Sequence, residues 1–86
     1  MSPFIATVEV MLKPSVNDPQ GLSIRNALHS LGFAGVSDVR AGKLIVVTVE
    51  AQNEATARAE MTAMAEKLLA NPVIETFEVR IGEPVA

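Results

Sequence analysis

Alternating apolar and polar residues mark the beginning of the chain as a strand, over residues 4–12. By a period of two, one side of this strand carries Phe4, Ala6, Val8, Val10 and Leu12. From Gly21 onwards the apolar residues recur at helical spacing instead, as Ile24, Ala27, Leu28 and Leu31. Gly32 follows directly and is expected to cap this helix, because a C-terminal cap favours a residue that tolerates positive φ.

Two further strands are predicted in the middle of the chain. Residues 36–40 form a short extended segment, and residues 43–50 form a strand rich in β-branched side chains. Ala41-Gly42 lies between them and supplies a turn signal. We therefore expect the two segments to pair as a hairpin.

A second helix and a last strand complete the pattern. Asn53 is a good N-terminal cap, and the helix is expected to continue to about residue 70, where Asn71-Pro72 stops it. The buried stripe of this helix would be Ala57, Met61, Met64 and Leu68. Residues 73–81 form the last predicted strand, and the tail over residues 82–86 is expected to fray.

The predicted order is β-α-β-β-α-β, in a single domain over residues 1–86. This order is typical of an α+β two-layer sandwich of the ferredoxin-like type, in which a four-stranded antiparallel sheet carries both helices on one face. The other face would ordinarily be polar. Here it would carry the apolar side chains Ile5, Met11, Leu44, Val46 and Ile74. An apolar face of this size predicts a homo-oligomer built partly by contact of sheet faces or edges.

Composition narrows the possible functions. The chain of 86 residues has no cysteine, which excludes disulfides, thiolate metal sites and cysteine nucleophiles. Its one histidine cannot form a histidine-based metal site alone. A net charge of −3, with neither tyrosine nor tryptophan, argues against binding of nucleic acid. The chain shows no signal peptide and no apolar run long enough to span a membrane, so we expect a cytoplasmic location.

No catalytic constellation emerges from the sequence. His29 has no evident carboxylate or nucleophile beside it and is expected on a helix surface or an interface. Acylphosphatases share the β-α-β-β-α-β order, but they need a phosphate-binding loop with an arginine after the first strand. The corresponding loop here, KPSVNDPQG over residues 13–21, has only Lys13 as a base and carries Asp18. The residues alone indicate a small domain that oligomerises or docks on a partner.

Four segments in order, KPSVNDPQG, ALHSLGF, VSDVRAGKLI and KLLANPVIETFEV, resemble the PurS family, the small subunits of bacterial and archaeal phosphoribosylformylglycinamidine synthase. The resemblance spans essentially the whole chain. In the loop, Ser15 and Asn17 depart from the glycine and leucine that are usual in the family.

The resemblance implies a role in the fourth step of purine synthesis, which uses ATP, Mg²⁺ and glutamine. A glutaminase subunit, PurQ, releases ammonia there, and a synthetase subunit, PurL, consumes it. The small subunit would bridge the two, assist ammonia transfer, form a homodimer or homotetramer, and contribute neither catalytic residues nor a cofactor or metal site. One alternative stays open: a small-molecule sensor of the ACT type, which shares the predicted fold. An RNA-binding ferredoxin-like domain is a distant third.

The resemblance also indicates which residues meet the partners. Contact is expected of Lys13, Gln20, Arg40 and Lys43, whose polar ends have no evident local role. Asp18 either joins them or caps the first helix. The other positions that match the family are expected to shape the backbone of the motif, and partner contact stays open for them. They are Pro14, Pro19, Gly21, Gly42, Asn71 and Pro72.

Overall fold

The structure, a computed structural model, describes residues 1–82. It contains three strands and two α-helices: β1 (Ser2–Leu12), α1 (Pro19–Ser30), β2 (Gly42–Ala51), α2 (Glu54–Met64) and β3 (Glu75–Ile81). A π-helical turn, Ala65–Leu69, extends α2. The expected fraying of the tail concerns residues 83–86, which lie outside the described residues, and Gly82, which donates a backbone hydrogen bond to Ile5 at 2.8 Å.

The sheet has three antiparallel strands in the order β2-β1-β3. In the register, Val8 of the central strand lies opposite Ile45 on one side and Val79 on the other. The predicted four-stranded sheet is therefore wrong, because residues 36–40 do not form a strand and no hairpin joins them to residues 43–50. Their polar contacts go instead to the loop after β1 and to the end of α1, and the following residue, Ala41, bonds to Asp18 at the beginning of α1.

A small apolar core lies between α2 and the sheet. Val8, Val10 and Met61 are fully buried, as alternation on β1 and helical spacing on α2 predict. Asn53 caps α2 as predicted, since its side chain accepts a hydrogen bond from the backbone N–H of Thr56 at 2.8 Å.

The π-helical turn changes which side chains of this segment are buried. A π-turn adds a residue to the helical repeat, so the side chains after it rotate relative to the α-helical pattern. Leu68, predicted to be buried, is 82 % exposed, whereas Ala70, after the turn, is buried. The predicted stripe is correct at Ala57 and Met61 and wrong at Met64, which is 36 % exposed, and at Leu68.

The first helix does not cover the sheet. α2 packs against all three strands, but α1 has no comparable contact with any of them, and only Gly21 of α1 is buried. The radius of gyration of the Cα atoms is 16.2 Å, whereas a compact chain of this length would have about 12 Å. The prediction of two helices on one sheet face is therefore wrong as well, and the chain is elongated.

Gly32 ends α1 as predicted. Its φ is +98°, and the backbone N–H groups of Gly32 and Phe33 return to carbonyls of the last helical turn at 3.0 Å. This turn exposes Leu31 and Phe33 to solvent, and Leu22 and Ile24 in the first half of α1 are also exposed. The helix thus presents apolar side chains that nothing in residues 1–82 covers.

The face of the sheet opposite α2 is partly apolar, as its alternation predicts. Leu44 and Val46 of β2 are about half exposed, and Ile5 and Met11 of β1 are 39 % exposed. On the β3 side of this face, Arg80 forms ion pairs with Glu9 and Glu78. No helix within residues 1–82 is long and apolar enough to cross a membrane.

Candidate functional site

Three segments that are distant in sequence meet at one end of the sheet, next to the C-terminal end of β1. They are the loop with the beginning of α1 (residues 13–21), the stretch leading into β2 (residues 36–43) and the turn leading into β3 (residues 71–75). The backbone N–H of Lys13 donates to the carbonyl of Ile74 at 2.8 Å, which joins the first segment to the third. We call the surface that they form the loop surface.

Asp18 connects the first two segments. One carboxylate oxygen accepts from the backbone N–H of Gly21 at 2.9 Å, and the other accepts from that of Ala41 at 2.8 Å. Together with the nearby positive charge of Arg40, these hydrogen bonds hold the pKa of Asp18 below its ordinary value of 3.8, and the bond from Gly21 is the largest cause. Asp18 is buried, so of its two expected roles the structure shows the helix cap.

Arg40 fastens the loop itself. Its guanidinium donates to the carbonyl oxygens of Lys13 at 3.0 Å and Val16 at 2.8 Å. The interpretation that Arg40 has no evident local role is therefore wrong. A side chain donating to main-chain carbonyls across 24 and 27 positions has no sequence signature, so the sequence could not reveal this role.

Two glycines allow the segments to approach closely. A Cβ atom on Gly21 would collide with the carbonyl of Val39, and one on Gly42 would collide with the side chain of Met11 and the carbonyl of Val10. Both positions therefore have the backbone role that was left open for them. Pro19 opens α1 at its first position, where the missing N–H is tolerated.

A recess of about 220 Å³ lies between the three segments, with Val10 and Leu12 in its apolar part. Three predicted partner-binding residues line it, Asp18, Gln20 and Lys43, together with Gly42. A second recess, of about 290 Å³, contains Pro14, Arg40 and Asp38. The structure thus brings together most of the predicted residues of the loop and of the β2 segment, and Leu12 borders both recesses. Lys13 lines neither recess.

Glu75 completes the wall of the first recess and was not among the predicted site residues. Its carboxylate lies 3.8 Å from the Lys43 ammonium and accepts from the backbone N–H of Asn71 at 2.7 Å. A signal was present in the sequence, since Glu75 shares a strand face with Phe77 and Val79. A lone acid on a core-facing strand side requires a polar partner.

Asn71 and Pro72 lie in the tight turn before β3. The Asn71 side chain accepts from the backbone N–H of Val73 at 3.1 Å, and its carbonyl accepts from Glu75 at 2.7 Å. Asn71 therefore shapes the turn that places Glu75, whereas Pro72 is exposed and lines neither recess. Within residues 1–82 no group of three acidic or histidine side chains could hold a metal ion.

Comparisons with known proteins agree on one family. The family model described as PurS, phosphoribosylformylglycinamidine (FGAM) synthase, matches residues 5–83. A PurS subunit of this synthase from Synechocystis sp. is 49 % identical over 70 residues, which cover 81 % of this chain and 70 % of that protein. The PurS subunit from Bacillus subtilis is 44 % identical over 79 residues, covering 92 % of this chain and 93 % of its own.

Solved structures of the same family have a similar fold. A chain in the structure of PurLQS from Thermotoga maritima superposes with a TM-score of 0.87 at 36 % identity, covering 94 % of this chain and 99 % of that one. These matches favour the resemblance drawn from the sequence over the small-molecule sensor. They also agree with an elongated three-stranded architecture rather than the ferredoxin-like sandwich.

Proposed function

Because this chain belongs to the PurS family of subunits of FGAM synthase, we propose that it bridges the glutaminase and synthetase subunits of that enzyme and assists ammonia transfer without catalysing a step itself. The observation that carries the proposal is the similarity to a chain of the PurLQS structure, which covers nearly all of both chains. ATP, Mg²⁺ and glutamine would then be used by the partner subunits, PurL and PurQ, in the cytoplasm.

The loop surface is the part of the chain that we assign to a larger subunit. Within residues 1–82 neither the Lys13 ammonium nor the Gln20 amide has an ion-pair or hydrogen-bond partner. The loop that carries them is fixed at both ends, by Asp18 and by the bond from Lys13 to Ile74. A fixed loop with free polar ends favours docking, because binding need not order it.

Of the predicted contact residues, we retain Lys13, Gln20 and Lys43. The Lys43 side chain is 57 % exposed and its pairing with Glu75 is long, so it remains accessible to a partner. Asp18 is occupied by two backbone N–H groups, which makes it a support for the surface rather than a contact.

A paired substitution tests this assignment. Lys13→Ala with Gln20→Ala should leave the fold intact and weaken association with the larger subunits about ten-fold or more, the effect of losing an energetically important contact. Lys67→Ala with Gln52→Ala is the matched control, because both of these side chains are exposed and belong to none of the three segments of the loop surface. Equal affinity of the two double variants would show that the loop only connects β1 to α1.

A second copy of the chain is the other partner that we propose. A single chain leaves apolar side chains exposed on α1 and its C-terminal turn, with Leu31 73 % and Phe33 58 % exposed, and also on the open face of the sheet. A domain of this size buries about two-thirds of its unfolded surface at best. A homodimer or homotetramer would cover these side chains and supply the missing burial.

A further inference from the structure

The carbonyl groups of the loop after β1 point towards a single side chain. The Lys13 carbonyl accepts from the Val16 backbone N–H at 2.9 Å, which closes a β-turn with Pro14 at its second position. The same carbonyl also accepts from the Arg40 guanidinium, as does the carbonyl of Val16. The outer side of this turn, with Pro14 and Ser15, is exposed.

Ala41, which follows Arg40, holds the end of the loop next to α1. The backbone N–H of Ala41 donates to Asp18, which caps α1 through Gly21. Arg40 and Ala41 thus form hydrogen bonds with three acceptors of the loop, which are the carbonyls of Lys13 and Val16 and the carboxylate of Asp18. The positive charge of Arg40 also lies close to Asp18, so the two contacts support each other.

We propose that Arg40 is a positioning residue: it holds residues 13–18 in the conformation that docks on a larger subunit, and it does not contact that subunit itself. The inference rests on the proposed bridging function. Its physical basis is preorganisation, since a loop that is already ordered loses less conformational freedom when it binds. Arginine suits this role because its planar guanidinium presents several N–H donors in a fixed arrangement.

The first test compares Arg40→Ala with Arg58→Ala. Arg58 is a matched control, because it also donates to a backbone carbonyl, that of Val79 at 2.9 Å, but far from the loop. Two quantities are measured for each folded variant: hydrogen exchange of the Val16 and Gly21 amides in the isolated chain, and affinity for the larger subunits. We expect Arg40→Ala to speed exchange at both amides and weaken affinity on the order of ten-fold, while Arg58→Ala changes neither.

Two additions separate positioning from a direct contact or a folding defect. Arg40→Lys keeps the charge but not the planar fork, so it should show the same two effects in milder form and remain folded. Adding free guanidinium at a concentration too low to denature should partly restore loop protection and affinity together in Arg40→Ala. Coupled recovery of both quantities is expected only if Arg40 acts through the loop.

Three results would overturn the inference. Faster exchange with unchanged affinity would show that loop order does not matter for docking. Weaker affinity with unchanged exchange would show that Arg40 touches the partner directly. Failure of the unsubstituted chain to bind either larger subunit would remove the bridging function and the inference with it, and it is distinguishable because no substitution is involved.

Discussion

The Asp18 carboxylate accepts a hydrogen bond from the backbone N–H of Ala41 at 2.8 Å, although 23 positions separate them. This bond connects the beginning of α1 to the segment that leads into β2. The other carboxylate oxygen caps α1 through Gly21, so one buried side chain fixes both segments. This ionised group is therefore one of the contacts that hold the helix in its orientation away from the sheet.

The first prediction concerns the acid sensitivity of this bond. The pKa of Asp18 is lower in the folded chain than its ordinary value of 3.8, so the unfolded chain takes up the proton more readily. Its stabilising contribution is then complete above pH 3.8 and is lost as the pH falls through the lower folded pKa. Asp18→Asn should be less stable than the unsubstituted chain at neutral pH and should lose less stability on acidification.

Urea unfolding at neutral pH and again below pH 3.8 measures this difference. Asp38→Asn is the control, because Asp38 lies in the neighbouring segment but is exposed. If Asp18→Asn and the unsubstituted chain lost equal stability on acidification, the charged form of Asp18 would not be what holds the two segments.

The second prediction tests the close approach at Gly42. A methyl group at this position would press into the side chain of Met11 and the carbonyl of Val10, so Gly42→Ala should destabilise the fold by about 1–3 kcal/mol. Gly35→Ala is the matched control, since a Cβ there meets no atom within 4 Å and φ is not positive. The free energy of unfolding distinguishes them, and equal stability would contradict the described packing.

The third prediction concerns self-association. Leu31→Gln with Phe33→Ser changes two exposed side chains at the end of α1, so the single chain should fold as before and the mass in solution should shift towards the monomer. Leu68→Gln is the control, because Leu68 is 82 % exposed but lies on the π-helical turn. Sedimentation equilibrium reads the mass, and an unchanged oligomer in the double variant would exclude α1 from the contact between copies.

The sequence predicted local structure well where one residue decides it. Asn53 caps α2 and Gly32 ends α1 as expected, because a capping side chain or a positive φ is a local requirement. Alternation along β1 also identified Ala6, Val8 and Val10 as buried, since every second residue of a central strand faces the core, but not Thr7, which is buried on the opposite face.

Long-range contacts explain why the predictions for residues 36–40 and for the packing of α1 are wrong. The segment 36–40 has extended character, but its place is set by side-chain hydrogen bonds. His29 bonds to the Val36 carbonyl, seven positions away, and Arg40 bonds to the carbonyls of Lys13 and Val16, 27 and 24 positions away. The same contacts turn α1 away from the sheet. For the site, Gln20 and Lys43 line the same recess, and their contact with a partner stays a prediction. The alternation of the last strand already set Glu75 apart, whereas the hydrogen bonds of Arg40 join segments that no local pattern connects.

The most direct test of the bridging function is to mix purified glutaminase and synthetase subunits with and without this chain, under conditions of turnover. The mass of the resulting complexes shows which subunits associate. The proposal predicts that the two larger subunits form a stable complex only when this chain is present, and that the chain alone turns over nothing. A stable complex of the two larger subunits with full glutamine-dependent activity in its absence would contradict the proposal.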